Sequence, residues 1–240
     1  MFSLQSTETR VDVADACRVL ARAGQSDMIW GHVAARDPGG RGVWMKPSRF
    51  GLEEIGPGDL ILVGWDGAVL EGRHQRHIEF PIHTEIMRAR PDVQATVHTH
   101  PDAAVVFGML DTPLIPVGHE GTAFVPPDIP RYTQQRDLVR TAEHGHALAE
   151  TLGAGRAALL VDHGIVTAGA TVGEAVLAAI LLETACRKAL AALATGVRLT
   201  PVDDEEALAK RARIYGPGQI DAAWRYLRRQ ATRTQTGDQH

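Results

Sequence analysis

The order in which helix-like and strand-like patterns follow one another is the feature that most constrains the fold of this chain. After an amphipathic helical pattern at 11–23, two strand-like stretches at 29–36 and 43–45 flank a turn that contains Pro and Gly, which predicts a β-hairpin. Further along, strands alternate with helices, and a Thr-x-x-Glu box at 171–174 opens a long helix that ends near Ala194. This order predicts a single α/β domain built in layers.

Two histidines stand at the end of a predicted strand. Residues 93–100 alternate in character, with Val97 on one face and His98 and His100 on the other. Side chains two residues apart in a strand share a face, so both imidazoles should point to the same place, and Pro101 should end the strand there. The spacing indicates a candidate metal pair, although two surface histidines on an edge strand would give the same pattern.

Two further residues strengthen the metal hypothesis. Glu79 lies at the start of a predicted helix that Pro91 stops, and His163 follows the apolar strand at 157–161. Three imidazoles suit Zn²⁺, Mn²⁺, Fe²⁺ or Co²⁺, and a carboxylate adds tolerance for harder ions. Spacing alone leaves open whether these distant residues meet.

Several motifs together resemble the class II aldolase/adducin family. They are HIEFPIH at 77–83, RPD at 90–92, VHTH at 97–100 and LVDHGIV at 160–166. The resemblance covers roughly 11–194 and implies a layered α/β/α fold around a mixed, largely antiparallel central sheet. Residues 1–240 are then expected to form one such domain, with a helical C-terminal extension at 203–230.

The resemblance also implies the roles of the acid and the histidines. It carries metal binding onto His98, His100 and His163, and it makes Glu79 both a ligand and a proton shuttle. His83 is expected to be a structural histidine or to support the ligands from behind. Adducin-like members lack the metal histidines, so their presence here argues against a purely structural role.

The expected phosphate-binding pairs are missing. Sugar-phosphate members of the family have Gly-Asn, Thr-Gly and Ser-Ser pairs, and this chain has Gly31-His32, Ser48-Arg49 and His77-Ile78 in those places. We therefore expect an unphosphorylated substrate. His32, Lys46, Ser48 and Arg49 are candidates for binding a substrate carboxylate, for which an Arg offers a matching fork. The alternative is that Lys46 and Arg49 are solvated loop charges.

The motif block GHV, HIEFPIH and VHTHP looks most like the branch of the family that decarboxylates hydroxylated aromatic or pyridine carboxylic acids. A metal-dependent carbon–carbon lyase of this kind is the first hypothesis, with Glu79, His119 and Glu120 as candidate catalytic residues. Two alternatives remain: an aldolase or epimerase acting on an unphosphorylated or carboxylated sugar, and a mononuclear Fe²⁺ oxygenase, for which two histidines and a carboxylate can form the facial triad.

The composition of the chain argues against nucleic acid and the lipid bilayer as binding partners. The net charge of −4 offers no basic surface for nucleic acid, and no apolar run approaches the roughly 20 residues that span a bilayer. Two cysteines and the lack of a signal-like N-terminus favour a cytoplasmic protein. The family resemblance implies a homotetramer, in which Arg213 or Tyr215 of a neighbour would complete each site.

Overall fold

The computed structural model describes residues 4–233. The helices are α1 (Leu4–Leu20), α2 (Pro81–Ala89), α3 (Asp102–Gly108), α4 (Gly118–Thr122), α5 (Ala142–Leu152), α6 (Val172–Ala194), α7 (Asp204–Ile214) and α8 (Pro217–Arg233). The strands are β1 (His32–Arg36), β2 (Gly42–Met45), β3 (Ile61–Gly64), β4 (Val69–Glu71), β5 (Ala95–Thr99), β6 (Arg131–Tyr132), β7 (Ala157–Leu160) and β8 (Gly164–Gly169). A π-helical turn at Ala21–Gln25 extends α1, and a 3-10 turn covers Leu52–Glu54.

All eight strands form one sheet in the order β4-β3-β2-β1-β5-β8-β7-β6. Neighbouring strands are antiparallel except for β6 and β7, which are parallel. The predicted mixed, largely antiparallel sheet is therefore confirmed. The register places His32 of β1 directly opposite His98 of β5, and His98 opposite Val166 of β8.

Alternation along the strands divides the core into two layers. Val33 and Val97 pack with α1, α3 and α6 on one face, whereas Ala34 and Val166 pack with α2 and α5 on the other. Because successive strand residues point to opposite faces, the same strands supply both cores. This arrangement confirms the predicted α/β/α layers.

Capping side chains and local contacts set where the helices begin. Helix α5 begins at Ala142, because the Thr141 side chain caps it by accepting from the His144 N–H and the backbone before it turns toward Glu79. The segment between α3 and β6 contains the short helix α4. The Thr171 side chain caps α6 by accepting from the Glu174 N–H at 3.1 Å, as the sequence predicted. None of the helices within 4–233 is long and apolar enough to cross a membrane.

Candidate metal centre

His98 and His100, the two histidines of the HxH motif, lie at the end of β5. A hydrogen bond at Nδ1 fixes the orientation of each ring. His98 is fully buried, and its Nδ1 donates to the carbonyl oxygen of Ile165 at 2.8 Å. His100 Nδ1 donates to the Asp27 carboxylate at 2.9 Å. Both partners are acceptors only, so each Nδ1 carries the proton and each Nε2 keeps a lone pair. The two Nε2 atoms are 3.1 Å apart.

His163 reaches the same place from the turn between β7 and β8. Asp162 has a φ of +60° there, and the His163 N–H donates to the Leu160 carbonyl at 3.1 Å. The next residue, Gly164, allows the turn to approach β5 closely, because a Cβ at this position would lie 2.5 Å from the Thr99 carbonyl oxygen. One donor nitrogen from each of His98, His100 and His163 lies within 4.8 Å of the others.

The carboxyl group of Glu79 lies next to the three imidazoles. It precedes α2 and is buried, with Oε2 at 3.8 Å from His98 Nε2 and Oε1 at 3.6 Å from His163 Nε2. The Val139 N–H donates to Oε1 at 2.8 Å. Burial raises the pKa of Glu79 to about 7, although the Val139 hydrogen bond opposes this shift. The group can therefore hold or release a proton near neutral pH.

A fourth imidazole faces the same centre. His32, Glu79 and His98 are buried with donor atoms that also lie within 4.8 Å of one another. His32 Nδ1 is 2.6 Å from His83 Nε2, and His83 Nδ1 is 2.6 Å from Thr96 Oγ1. Since His98 has only one free ring nitrogen, this group and the three-histidine group describe a single site.

The buried imidazoles are neutral. Burial first, and neighbouring imidazoles second, hold the pKa values of His98 and His32 well below the ordinary value of 6.5. The pKa of His163 falls to about 4 for the same two reasons. Moreover, His163 Nε2 is buried without a hydrogen-bond partner in the described part of the chain. Neutral nitrogen donors with unpaired lone pairs beside a carboxylate are a set that fits a divalent transition metal.

The predicted substrate-binding residues fall into two groups. His32 lies in the centre, and Lys46 is fully buried nearby, where its Nζ donates to the Ile29 carbonyl at 3.0 Å and lies 3.3 Å from His77 Nε2. The idea that Lys46 is a solvated loop charge is thus wrong. Burial lowers the pKa of Lys46 to about 8.

Ser48 and Arg49 lie just beyond Lys46, outside this buried group. The Ser48 hydroxyl donates to the Gln75 carbonyl oxygen at 3.1 Å. Arg49 is exposed with a φ of +71°, and within residues 4–233 it forms no hydrogen bond or ion pair with the histidines. The solvated-charge alternative thus fits Arg49, and a substrate role for either residue stays a prediction.

The loop candidates lie elsewhere in the chain. His119 and Glu120 belong to α4, which packs against α6 and α7. Glu120 pairs with Lys188 of α6 at 2.6 Å. Burial raises the pKa of Glu120, but the hydrogen bond and charge of Lys188, together with a backbone hydrogen bond, outweigh burial and the pKa is lowered. Such a carboxylate is a poor proton donor near neutral pH, so the structure of one chain gives no support to Glu120 as a catalytic acid, and a catalytic role for His119 stays a prediction.

Sequence reasoning missed two residues of the site. Asp27 contacts His100 across 73 positions of sequence, and no local spacing could have indicated that pairing. His77 was noted only as a departure from the Ser-Ser pair, yet its ring centre lies 4.4 Å from that of His32. The signal available for His77 was its position two residues before the acid Glu79.

Comparison with known proteins places the chain in a family. Residues 11–190 match the family model described as Class II Aldolase and Adducin N-terminal domain. The chain is 31% identical over 229 residues to a 3,4-dihydroxyphthalate decarboxylase from Arthrobacter keyseri, covering 90% of this chain and 91% of that protein. It is 34% identical over 187 residues to a 4-hydroxy-3-prenylphenylpyruvate oxygenase/4-hydroxy-3-prenylbenzoate synthase from Streptomyces roseochromogenus subsp. oscitans, covering 76% and 67%.

A solved structure agrees with this placement. The L-fuculose 1-phosphate aldolase from Glaciozyma antarctica PI12 superposes with a TM-score of 0.86 at 25% identity, over 98% of this chain and 94% of that one. The family match and the decarboxylase relative support a lyase. Well over half of the chain matches the family model, and this chain is therefore a member of the class II aldolase and adducin family.

Proposed function

We propose that this chain is a divalent-metal-dependent lyase that decarboxylates a hydroxylated aromatic or pyridine carboxylic acid. The observation that carries the proposal is the meeting of three imidazoles, from His98, His100 and His163, beside the buried carboxyl group of Glu79. These four side chains would hold Zn²⁺ or Mn²⁺, with Fe²⁺ or Co²⁺ as alternatives. When bound, the ion would supply a Lewis acid that stabilises negative charge on a substrate oxygen.

Glu79 is the proposed source of the proton. Decarboxylation breaks the bond between the ring carbon and the carboxylate, the electron pair stays on the ring carbon, and that carbon then takes up a proton. In the metal-free centre burial raises the pKa of this carboxyl group to about 7, so it can carry a proton near neutral pH when it is not bound to the ion. The Val139 N–H fixes one oxygen, and the carboxylate regains its proton from solvent after CO₂ leaves.

The substrate carboxylate would be recognised by donors close to the metal ligands. His32 lies opposite His98, and His77 and Lys46 lie behind it. The Gly-Asn, Thr-Gly and Ser-Ser pairs of the sugar-phosphate members are replaced by Gly31-His32, Ser48-Arg49 and His77-Ile78, which supports an unphosphorylated acid. Ser48 and Arg49 remain candidates for the outer part of the substrate.

Two other reactions fit the same donors. Retro-aldol cleavage or epimerisation of a sugar-like acid also needs a Lewis acid beside a proton carrier. An Fe²⁺ oxygenase would use two histidines and Glu79, and the similarity to the oxygenase from Streptomyces roseochromogenus favours this candidate specifically. Decarboxylation is preferred because the decarboxylase relative matches over a larger share of both chains.

One assay separates these reactions. Protein loaded in turn with Zn²⁺, Mn²⁺ and Fe²⁺ is incubated with ortho-hydroxy aromatic acids and with sugar acids, while CO₂, aldehyde and O₂ are measured. The proposal predicts CO₂ from at least one aromatic acid, without O₂ uptake, and none from His98→Ala. Aldehyde without CO₂ would indicate the aldolase, and O₂ consumption with iron would indicate the oxygenase.

We also propose, from the family resemblance, that the chain assembles as a homotetramer. In that assembly Arg213 or Tyr215 of a neighbouring subunit would complete each centre. Burial raises the pKa of Tyr215 to about 12, so the phenol would act there as a hydrogen-bond donor. Light scattering that reports a monomer at assay concentration would refute this arrangement.

A further inference from the structure

Residues 25–31, which lead into β1, are called the rim segment here. Hydrogen bonds anchor this segment at several points next to the candidate metal centre. The buried Gln25 accepts from Thr99 Oγ1 at 2.7 Å and donates to the Ala179 carbonyl at 2.9 Å. Thr99 stands between the two histidines of the HxH motif but faces away from them. At the other end, Lys46 Nζ donates to the Ile29 carbonyl. The rim segment is therefore held in place by contacts that do not involve the Asp27 side chain.

Asp27 makes the contact that reaches the centre itself. Its Oδ2 lies 2.9 Å from His100 Nδ1, and a tight turn positions it because the Trp30 N–H donates to its carbonyl at 2.9 Å. His98 is held in the same way by a neutral carbonyl, that of Ile165, whereas His100 is held by a charged carboxylate. A carboxylate behind an imidazole fixes the tautomer and makes the other ring nitrogen a stronger ligand.

We propose that Asp27 is a positioning residue of the metal centre, which orients His100 and strengthens its Nε2 as a ligand. This inference rests on the proposed metal-binding function. Asp27 itself does not reach the ion, because its carboxylate lies on the far side of the His100 ring from Nε2. Its effect should therefore appear in metal affinity and ligand field while binding itself persists.

The test is titration of the metal-free full chain with Co²⁺, whose visible spectrum reports affinity and ligand field together. Asp27→Ala is expected to weaken Co²⁺ binding by about 10- to 100-fold and to shift the absorption bands, because partners behind metal-bound histidines typically contribute that much. Asp27→Asn retains an acceptor oxygen and should lose less. Ser26→Ala is the matched control: it removes a 2.8 Å hydrogen bond to Glu53 in the same segment and should bind Co²⁺ like the wild type.

The outcomes separate this inference from the proposed function. If the wild type binds no Co²⁺, the metal centre itself is refuted, and the role of Asp27 with it. If the wild type binds Co²⁺ and Asp27→Ala binds it equally well with the same spectrum, only the role of Asp27 is refuted. An equal loss in Ser26→Ala would also overturn it, because the effect would then belong to the rim segment as a whole.

Discussion

The Nε2 atoms of His98 and His100 lie 3.1 Å apart, yet neither donates a hydrogen bond to the other while both Nδ1 atoms carry their protons. Two lone pairs at this distance repel each other in a buried site. A cation held by both nitrogens would remove the repulsion, and His163 and Glu79 lie close enough to serve as further ligands. In the metal-free protein this repulsion should therefore destabilise the arrangement of the two imidazoles.

The metal-free chain should lose stability as the pH falls below about 6.5. Burial lowers the pKa of His163 to about 4 and those of His77 and His83 to about 3, so the unfolded chain binds protons first. Each such histidine contributes stability that is present above pH 6.5 and lost toward its folded pKa, at about 1.4 kcal/mol per pH unit. Glu79, whose pKa is raised, has the opposite effect on the free energy of unfolding between pH 4.5 and 7. Its effect is smaller than the combined effect of the buried histidines.

Urea unfolding at pH 5.0, 6.0 and 7.5 measures this dependence. We expect the free energy of unfolding to rise with pH across the series. A flat profile, or greater stability at pH 5.0 than at pH 7.5, would show that the buried histidines are not held neutral.

Glu79→Gln should reduce turnover without unfolding the chain. The amide oxygen can still accept from the Val139 N–H, but the side chain can neither carry a negative charge nor deliver the proton. Loss of a general acid typically costs about 10²- to 10⁴-fold in kcat. The measurement is CO₂ release by metal-loaded protein, with Glu143→Gln as a control at an exposed position of α5. Activity within about threefold of wild type would remove Glu79 from the chemistry.

The sequence predicted the features of the site that arise from residues close together in the chain. It did not predict the contacts between residues that are far apart in the chain. The alternation at 93–100 correctly predicted a strand that presents His98 and His100 together, because strand geometry is local. The family motifs correctly predicted the sheet and its layers. In contrast, the burial of Lys46 and the pairing of Asp27 with His100 depend on how separate elements dock, and no periodicity encodes that. The start of α5 at Ala142 also depends on a distant contact, because the Val139 N–H is directed to Glu79, 60 positions earlier.

Thr96→Val should lower the free energy of unfolding and should also disturb the position of the His32 ring. The substitution preserves shape but removes the hydroxyl that lies 2.6 Å from His83 Nδ1, leaving a buried ring nitrogen without its partner. An unsatisfied buried polar group costs about 1–3 kcal/mol. Urea unfolding measures the loss, and Thr9→Val is the control because the Thr9 hydroxyl bonds within an exposed helix turn. A change below about 0.5 kcal/mol, the usual scatter for surface substitutions, would show that the chain from Thr96 through His83 to His32 is not a coupled unit.

The most direct test of the central claim is the amount of Zn²⁺ that the purified chain retains after loading and exhaustive dialysis. We predict one ion per chain for the wild type, one for His146→Ala, whose exposed histidine lies on α5, and none for His163→Ala. The bound ion should also stabilise the wild type by about 2.7 kcal/mol at a free concentration one hundred times its Kd. Wild-type protein that retains no zinc, or His163→Ala that retains as much as wild type, would contradict the account.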